Sequence, residues 1–527
     1  MAQRCEESRV VKNRHPQYVE QASDSVFIPM GSLPAYHARR DPTRPMITIG
    51  ARTVTREEFE SRANRRARAL AARGVQQGDM VTIALPNCIE FYETAFAAWK
   101  LGATPNPVSG KLPDVELRSI IDLVRPRVIV GVDPARLPGC EVIAPGEPID
   151  ESLSCEPLPE RIAPYWKAMA SGGSTGRPKI IVDHNPGAWD PRLPPLRQII
   201  DDTLLNPGPL YHNAPFSLMC AGLLTGAHVI EMEKFDPLRA LQLIERHQVG
   251  WVNFVPTMMH RIWRLPEEQR ASFDVSSLRV VYHMASACPV WLKEQWIEWL
   301  GAERIWELYG GTERQGACEI NGREWLAHKG SIGRAQSTCQ VKILSEQGEE
   351  CPPGEVGEIF FLPVGGRNST YHYLGAKANA RGEWESIGDL GYTDEDGYVY
   401  LVDRRTDLIV TGGANVYPAE VEGAIDSHPQ VRSSIVIGLP DEDLGHRVHA
   451  LVETSAGLSE VQLREHLLKR LARFKIPRTF EFVDRPLRDD AGKARRSALR
   501  EERIQQPPTA PDDARSGQSG REHVSTP

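Results

Sequence analysis

The chain has 527 residues, a net charge of -8, 41% hydrophobic and 25% charged residues, the balance of an ordinary globular protein with room for about two to four domains. The acidic excess argues against a general nucleic-acid surface, and no apolar run reaches the length that spans a bilayer. Nine cysteines lie scattered without Cys-x-x-Cys pairs or His/Cys clusters, which argues against a metal-thiolate site and suits reduced thiols in a cytoplasm; the charged N-terminus shows no signal-peptide pattern.

The predicted elements alternate from the start. Thr55 to Glu58 form a capping-box pattern that opens a helix presenting Phe59, Ala63, Ala67 and Leu70 and stopping by Gly74. Val81 to Leu85 has strand length, and a helix from about Cys88 to Leu101 follows. Next comes a loop of small and hydroxylated residues, Ser171, Gly172, Gly173, Ser174, Thr175 and Gly176, with Lys179 behind it. Glycines let backbone N–H groups approach phosphate oxygens, and the hydroxyls and the cation add donors. It is not a Walker loop, because Arg177 and Pro178 separate Gly176 from Lys179. Alternation returns with helical Leu241 to Glu245 and strand-like runs at Trp251 to Val255 and Leu278 to Tyr282. Such alternation predicts α/β layering with largely parallel sheets.

After Arg404 the texture changes to a smaller α+β unit. Pro418 suits the first turn of a helix presenting Val421, Ala424 and Ile425. Ile435 to Ile437 and Val448 to Val452 are strand-like, and Ser459 with Gln462 caps a helix bearing Leu463, Leu467, Leu468 and Leu471. The Pro-, Gly- and Ser-rich end has few large apolar groups and is expected to be disordered. The expected division is therefore a large N-terminal α/β domain over 1–404, a small mobile α+β domain over 405–505 and a tail over 506–527.

Further motifs follow the Gly-rich loop in a fixed order: Tyr309-Gly-Gly-Thr-Glu313, Gly330 to Arg334, Ser386 to Leu390, Asp403 to Asn415, and Gly492-Lys493. Loop and motifs together resemble the adenylate-forming superfamily of acyl-CoA synthetases, luciferases and peptide-synthetase adenylation domains, over roughly residues 25 to 500. The resemblance implies an acid–thiol ligase that uses ATP, Mg²⁺ and CoA. A carboxylate is a poor acyl donor until joined to AMP, and its attack on a polyanion needs focused positive charge.

Carried onto this chain, the resemblance implies that Ser171 to Lys179 hold the β- and γ-phosphates. Tyr309 packs on adenine beside Ala287, Thr312 meets the α-phosphate, and Glu313 binds Mg²⁺. Asp389 takes the ribose hydroxyls with Arg404 nearby. Lys493 is the catalytic lysine, working with Thr312 and Glu313, and Gly412 and Gly413 line the pantetheine channel. His212, Phe216, Met258, Ala285 and Gly310 are the expected acyl-pocket residues. The partners implied are a small carboxylic acid and CoA, with no nucleic acid or membrane and a monomer or homodimer as the working form.

Three departures stand out. Thr406 occupies a hinge position usually held by Asp or Lys, which questions the domain rotation and the thioester step; the alternative is an enzyme that stops at acyl-AMP and passes it to a partner. Ala285-Ser286-Ala287 replaces the usual Gly-Gly-Ala, and Gly172 and Ile180 stand where Ser and Gly are common. Finer patterns at Gly208 to His212, Val255 to Met258, Val290 to Lys293 and Phe474 to Phe482 resemble the bile acid and steroid CoA ligase subgroup. They imply a bulky polycyclic acid: a bile acid, a steroid acid or a diterpenoid acid of the kind activated in antibiotic pathways.

Overall fold

A computed structural model describes residues 26–172, 178–454, 457–489 and 492–505. The loop residues Gly173, Ser174, Thr175 and Gly176 and the 506–527 tail lie outside the described residues.

The first capping box forms as the sequence predicts: the Thr55 hydroxyl accepts from the Glu58 N–H, and the Glu58 carboxylate accepts from the Thr55 N–H. The helix Arg56–Ala72 buries Phe59, Ala63, Ala67 and Leu70 completely. It packs on the helix Ile89–Lys100, which is buried on nearly every side. Phe91 and Trp99 of that second helix join Trp166 and Phe216 in an aromatic layer.

One sheet is wholly parallel, in the order Thr104–Pro107, Met80–Ile83, Val128–Val130, Val142–Ile143. A second, of 15 strands, is parallel from Pro45–Ile49 through His228–Glu231, Thr203–Asn206, Trp251–Phe254 and Val280–His283 to Ile305–Gly310. Beyond Gly310 it turns antiparallel, through Ala317–Asn321, Ser331–Ala335, Val399–Arg404, Asp389–Thr393 and Gly357–Pro363. The expectation of largely parallel sheets is thus corrected for its second half. Helices such as Pro237–His247 and Val290–Leu300 carry the chain back between parallel strands. After Gly310 a short turn returns the chain at once as Ala317–Asn321, and a short return makes antiparallel neighbours. A third sheet, antiparallel, joins Ala168–Gly172, Pro178–Asp183 and Tyr371–Leu374.

The smaller C-terminal domain begins with a hairpin, Ile409–Thr411 and Ala414–Val416. Helix Pro418–Asp426 carries Pro418 in its first turn and buries Val421 and Ile425. It packs on a sheet of Val431–Asp441, Gly445–Thr454 and Thr479–Val483. Ser459 caps Glu460–Leu468 through a second capping box, and Leu463 and Leu467 are buried. Leu468, expected on the same face, is 52% exposed; it follows Leu467 by one residue and so points about 100° away around the helix. Glu422 receives Arg488 at 2.8 Å and Arg496 at 2.7 Å, tying the last helix, Arg496–Gln505, to this domain. The domains meet where Arg264 donates to the carbonyls of Asp426 and His428 at 3.2 and 3.0 Å. No helix among the described residues is long and apolar enough to cross a membrane.

Candidate active site

Between the domains lies one continuous cavity of about 2370 Å³. On its phosphate side, strand pairing sets Ser171 opposite Lys179, with Gly172 opposite Pro178 at the loop's base. The Lys179 ammonium donates to Glu313 Oε1 at 3.1 Å and to the Tyr373 hydroxyl at 3.0 Å. Tyr373 in turn donates to Glu313 Oε1 at 2.6 Å. Among the described residues Oε2 of this buried carboxylate takes no hydrogen bond, so one oxygen remains for a hard cation. Mg²⁺ takes few protein carboxylates beside phosphate oxygens and water, and Glu313 fits that need. Gly311 keeps the approach open: a Cβ there would stand 2.7 Å from Glu313 Oε2. Thr312, between the two, borders the same space.

Tyr309, at the end of Ile305–Gly310, donates its hydroxyl to Asp389 Oδ2 at 2.7 Å. Asp389 Oδ1 is buried without a hydrogen bond, and Arg404 Nε lies 3.3 Å from it. Burial pushes the Asp389 carboxyl above its ordinary range, Arg404 and Tyr309 opposing. A buried acceptor lacking a donor is costly, and ribose hydroxyls are donors of the right kind. Ala287 borders the cavity. Its neighbour Ala285 adopts a φ of +77°, a left-handed backbone that glycine would hold with less strain.

Lys493 reaches the cavity from the C-terminal domain. Its backbone N–H donates to Asp489 Oδ1 at 2.9 Å. Its side chain is exposed to the cavity, where desolvation lowers the pKa of its ammonium; Asp489 and Glu313 oppose this and Arg404 adds to it. The preceding Gly492 has a φ of +74° and no room: a Cβ would stand 2.6 Å from Thr257 Oγ1. The Gly492-Lys493 turn is therefore seated directly on the Val255–Thr257 segment of the large domain.

On the acyl side, His212, Met258, Ala285 and Gly310 border the cavity. His212 precedes the helix Asn213–Leu224; burial and the Lys493 charge pull its pKa down to about 3, so it is neutral at working pH. Phe216 requires a correction. It is fully buried in the aromatic layer with Phe91, Trp99 and Trp166 rather than on the cavity wall. Residues 212 and 216 lie one turn apart but differ in depth, and only the shallower one meets ligand space. Gly412 and Gly413 form the exposed turn between Ile409–Thr411 and Ala414–Val416 and do not border the cavity in this domain arrangement. Thr406, exposed, does border it.

Two contacts escaped the sequence reading. Tyr373 sits in a strand with no motif around it, and Thr257 figured only within the Val255 to Met258 subgroup pattern, which says nothing of its contact with Gly492.

Residues 35–374 match the model of the AMP-binding enzyme family, and residues 420–493 match the AMP-binding enzyme C-terminal domain. The chain belongs to the AMP-binding enzyme family. This AMP-binding enzyme is 32% identical to a feruloyl-CoA synthase from Amycolatopsis sp over 489 residues, 89% of this chain and 98% of that one. It is 29% identical to the 2-succinylbenzoate–CoA ligase of Bacillus subtilis (strain 168) over 481 residues, 88% and 96% of the two chains. Its structure resembles o-succinylbenzoate CoA synthetase from Bacillus subtilis in complex with the acyl-adenylate intermediate, with a TM-score of 0.76, 26% identity and coverage of 94% of this chain and 100% of that one. The AMP-binding enzyme is an ATP-dependent acyl-CoA ligase that works through an acyl-adenylate.

Proposed function

We propose that this ligase activates a bulky, hydrophobic, polycyclic monocarboxylic acid and transfers it to CoA. The observation that supports this reading is the acyl side of the cavity: Ala214, Ala221, Ala285 and Gly310 leave width, while Met258 and Met284 adapt to shape. The subgroup patterns around His212 and Val255 point the same way.

Lys493 is the catalytic cation, facing substrate carboxylate and α-phosphate as the new P–O bond forms and pyrophosphate leaves. Thr312 donates to the α-phosphate. Ser171 and Lys179 hold the outer phosphates together with the loop between them, and Asp389 with Arg404 fixes the ribose beneath Tyr309. Mg²⁺, when bound at Glu313, would neutralise charge developing on the phosphate oxygens. His212, uncharged, closes the acyl side without adding a second cation.

The hinge lies near Thr406, and rotation of 405–505 about it would withdraw Lys493 and bring Gly412 and Gly413 toward the thiol path. Thr406 also supports a second reading, in which the enzyme stops at acyl-AMP.

Mass spectrometry of products from enzyme, Mg-ATP and a panel of bile, steroid, diterpenoid and arylpropenoic acids, each with and without CoA, tests both readings. Acyl-AMP from a polycyclic acid that converts to acyl-CoA upholds the first. Acyl-AMP that accumulates whatever CoA is added establishes the second. Turnover confined to arylpropenoic acids overturns the substrate class.

A further inference from the structure

Below His212 the cavity meets a buried ion cluster that adenylation does not use. Lys167 is 1% exposed yet borders the cavity. Its ammonium donates to Asn213 Oδ1 at 2.5 Å and Ser217 Oγ at 2.7 Å, lies 3.7 Å from Asp183 Oδ2, and sits 4.5 Å from the Trp166 ring centre. Arg314 shares Asp183 at 3.1 Å, so two cations face one carboxylate.

An ammonium can only donate, so the Asn213 atom beside it must be the carbonyl oxygen. The Ser217 hydroxyl donates to the same oxygen at 3.2 Å. This double engagement fixes the amide and leaves its NH₂ group without a partner among the described residues. Asn213 is half-buried and borders the cavity among Ala214, Leu218 and Ala221. A donor held in apolar surroundings favours a ligand that brings an acceptor, and penalises one that leaves it unpaired.

We infer that Asn213, oriented by Lys167, selects acids whose acyl body carries an oxygen acceptor (hydroxyl, carbonyl or ether) away from the reacting carboxylate. The inference rests on the cavity's acyl side being the acid site. Asn213 is the specificity residue and Lys167 a positioning residue.

The test compares matched pairs that differ by one oxygen: lithocholic with 5β-cholanic acid, and 4-coumaric with cinnamic acid. Pyrophosphate release gives kcat/KM for each. On the skeleton it accepts, the wild-type enzyme should favour the oxygenated member by about 10- to 100-fold. In Asn213→Ala that ratio should fall to near one, with the KM for ATP unmoved. Lys167→Met should lower the ratio in the same way if it folds, and Lys167→Arg should restore part of it. Activation of both members at equal rates by the wild-type enzyme overturns the inference while leaving the ligase reading intact, as does an unchanged ratio in Asn213→Ala. Activation of neither skeleton, nor of either member of a diterpenoid acid pair differing by one hydroxyl, overturns the substrate reading and this inference with it.

Discussion

Replacing Gly492 by Ala tests whether the seating of the Gly492-Lys493 turn on Thr257 is the arrangement that makes acyl-AMP. The new Cβ meets two costs. At a φ of +74° an L side chain is disfavoured by roughly 1–2 kcal/mol wherever the turn goes. At 2.6 Å from Thr257 Oγ1 it also overlaps a β-branched side chain that is stiff about χ1, which costs about 1–3 kcal/mol in this pose only. The second cost is what adenylation feels, so CoA-independent pyrophosphate release should fall by roughly 10- to 100-fold. Thioester formation from supplied acyl-AMP and CoA should change far less. Thr257→Ala removes the overlapping atom, and Gly492→Ala should be about tenfold less damaging when measured against the Thr257→Ala background. Equal losses in both half-reactions, or no recovery in the double variant, would refute the reasoning.

Four further outcomes are expected. Because desolvation in the cavity lowers the Lys493 pKa, proton loss should remove the reactive cation below the ordinary lysine range. The adenylation rate should therefore decline on the alkaline side at a pH under 10.5, and Lys493→Arg, however slow, should lack that decline. Asp389→Asn should raise the KM for ATP about tenfold or more, since the buried oxygen that awaits a donor is weakened; an unchanged KM would remove Asp389 from the ribose site. Phe216→Ala should lower stability in denaturant by about 3–5 kcal/mol while the ranking of acids stays the same. Asp426 is half-buried, and desolvation raises its pKa to about 7 from 3.8. The folded state thus holds a proton that the unfolded chain releases, so stability is fully present at low pH and declines as pH rises from about 4 to 7. The change is on the order of a few kcal/mol, and Asp426→Asn should flatten that slope.

Much of the fold was legible because local signals and tertiary packing agree. The capping boxes at Thr55 and Ser459, the first-turn Pro418 and the buried faces of both helices are readable from hydrogen-bond donors and periodicity alone. The antiparallel half of the large sheet was not, since its neighbours in space, such as Ser331–Ala335 and Val399–Arg404, lie far apart in sequence and nothing local announces their pairing. At the site, ordered motifs led to Lys179, Tyr309, Glu313, Asp389, Arg404 and Lys493, which the fold brings around one cavity. Depth was the missing quantity: nothing in the order of residues tells that Phe216 lies behind the wall that His212 forms. Lys167 was invisible for the same reason, because a lysine just before a strand reads as surface until its burial is known.

The aromatic layer has a consequence for how this enzyme's substrate range can drift. Phe91, Trp99, Trp166 and Phe216 back the acyl side with stiff, interlocked rings, so resizing that wall costs folding before it changes selectivity. The rest of the acyl lining includes Met258 and Met284, whose flexible side chains adapt to a methylene more or less. Natural divergence and laboratory evolution alike should rewrite preference from such positions, with the ring stack passed on unaltered.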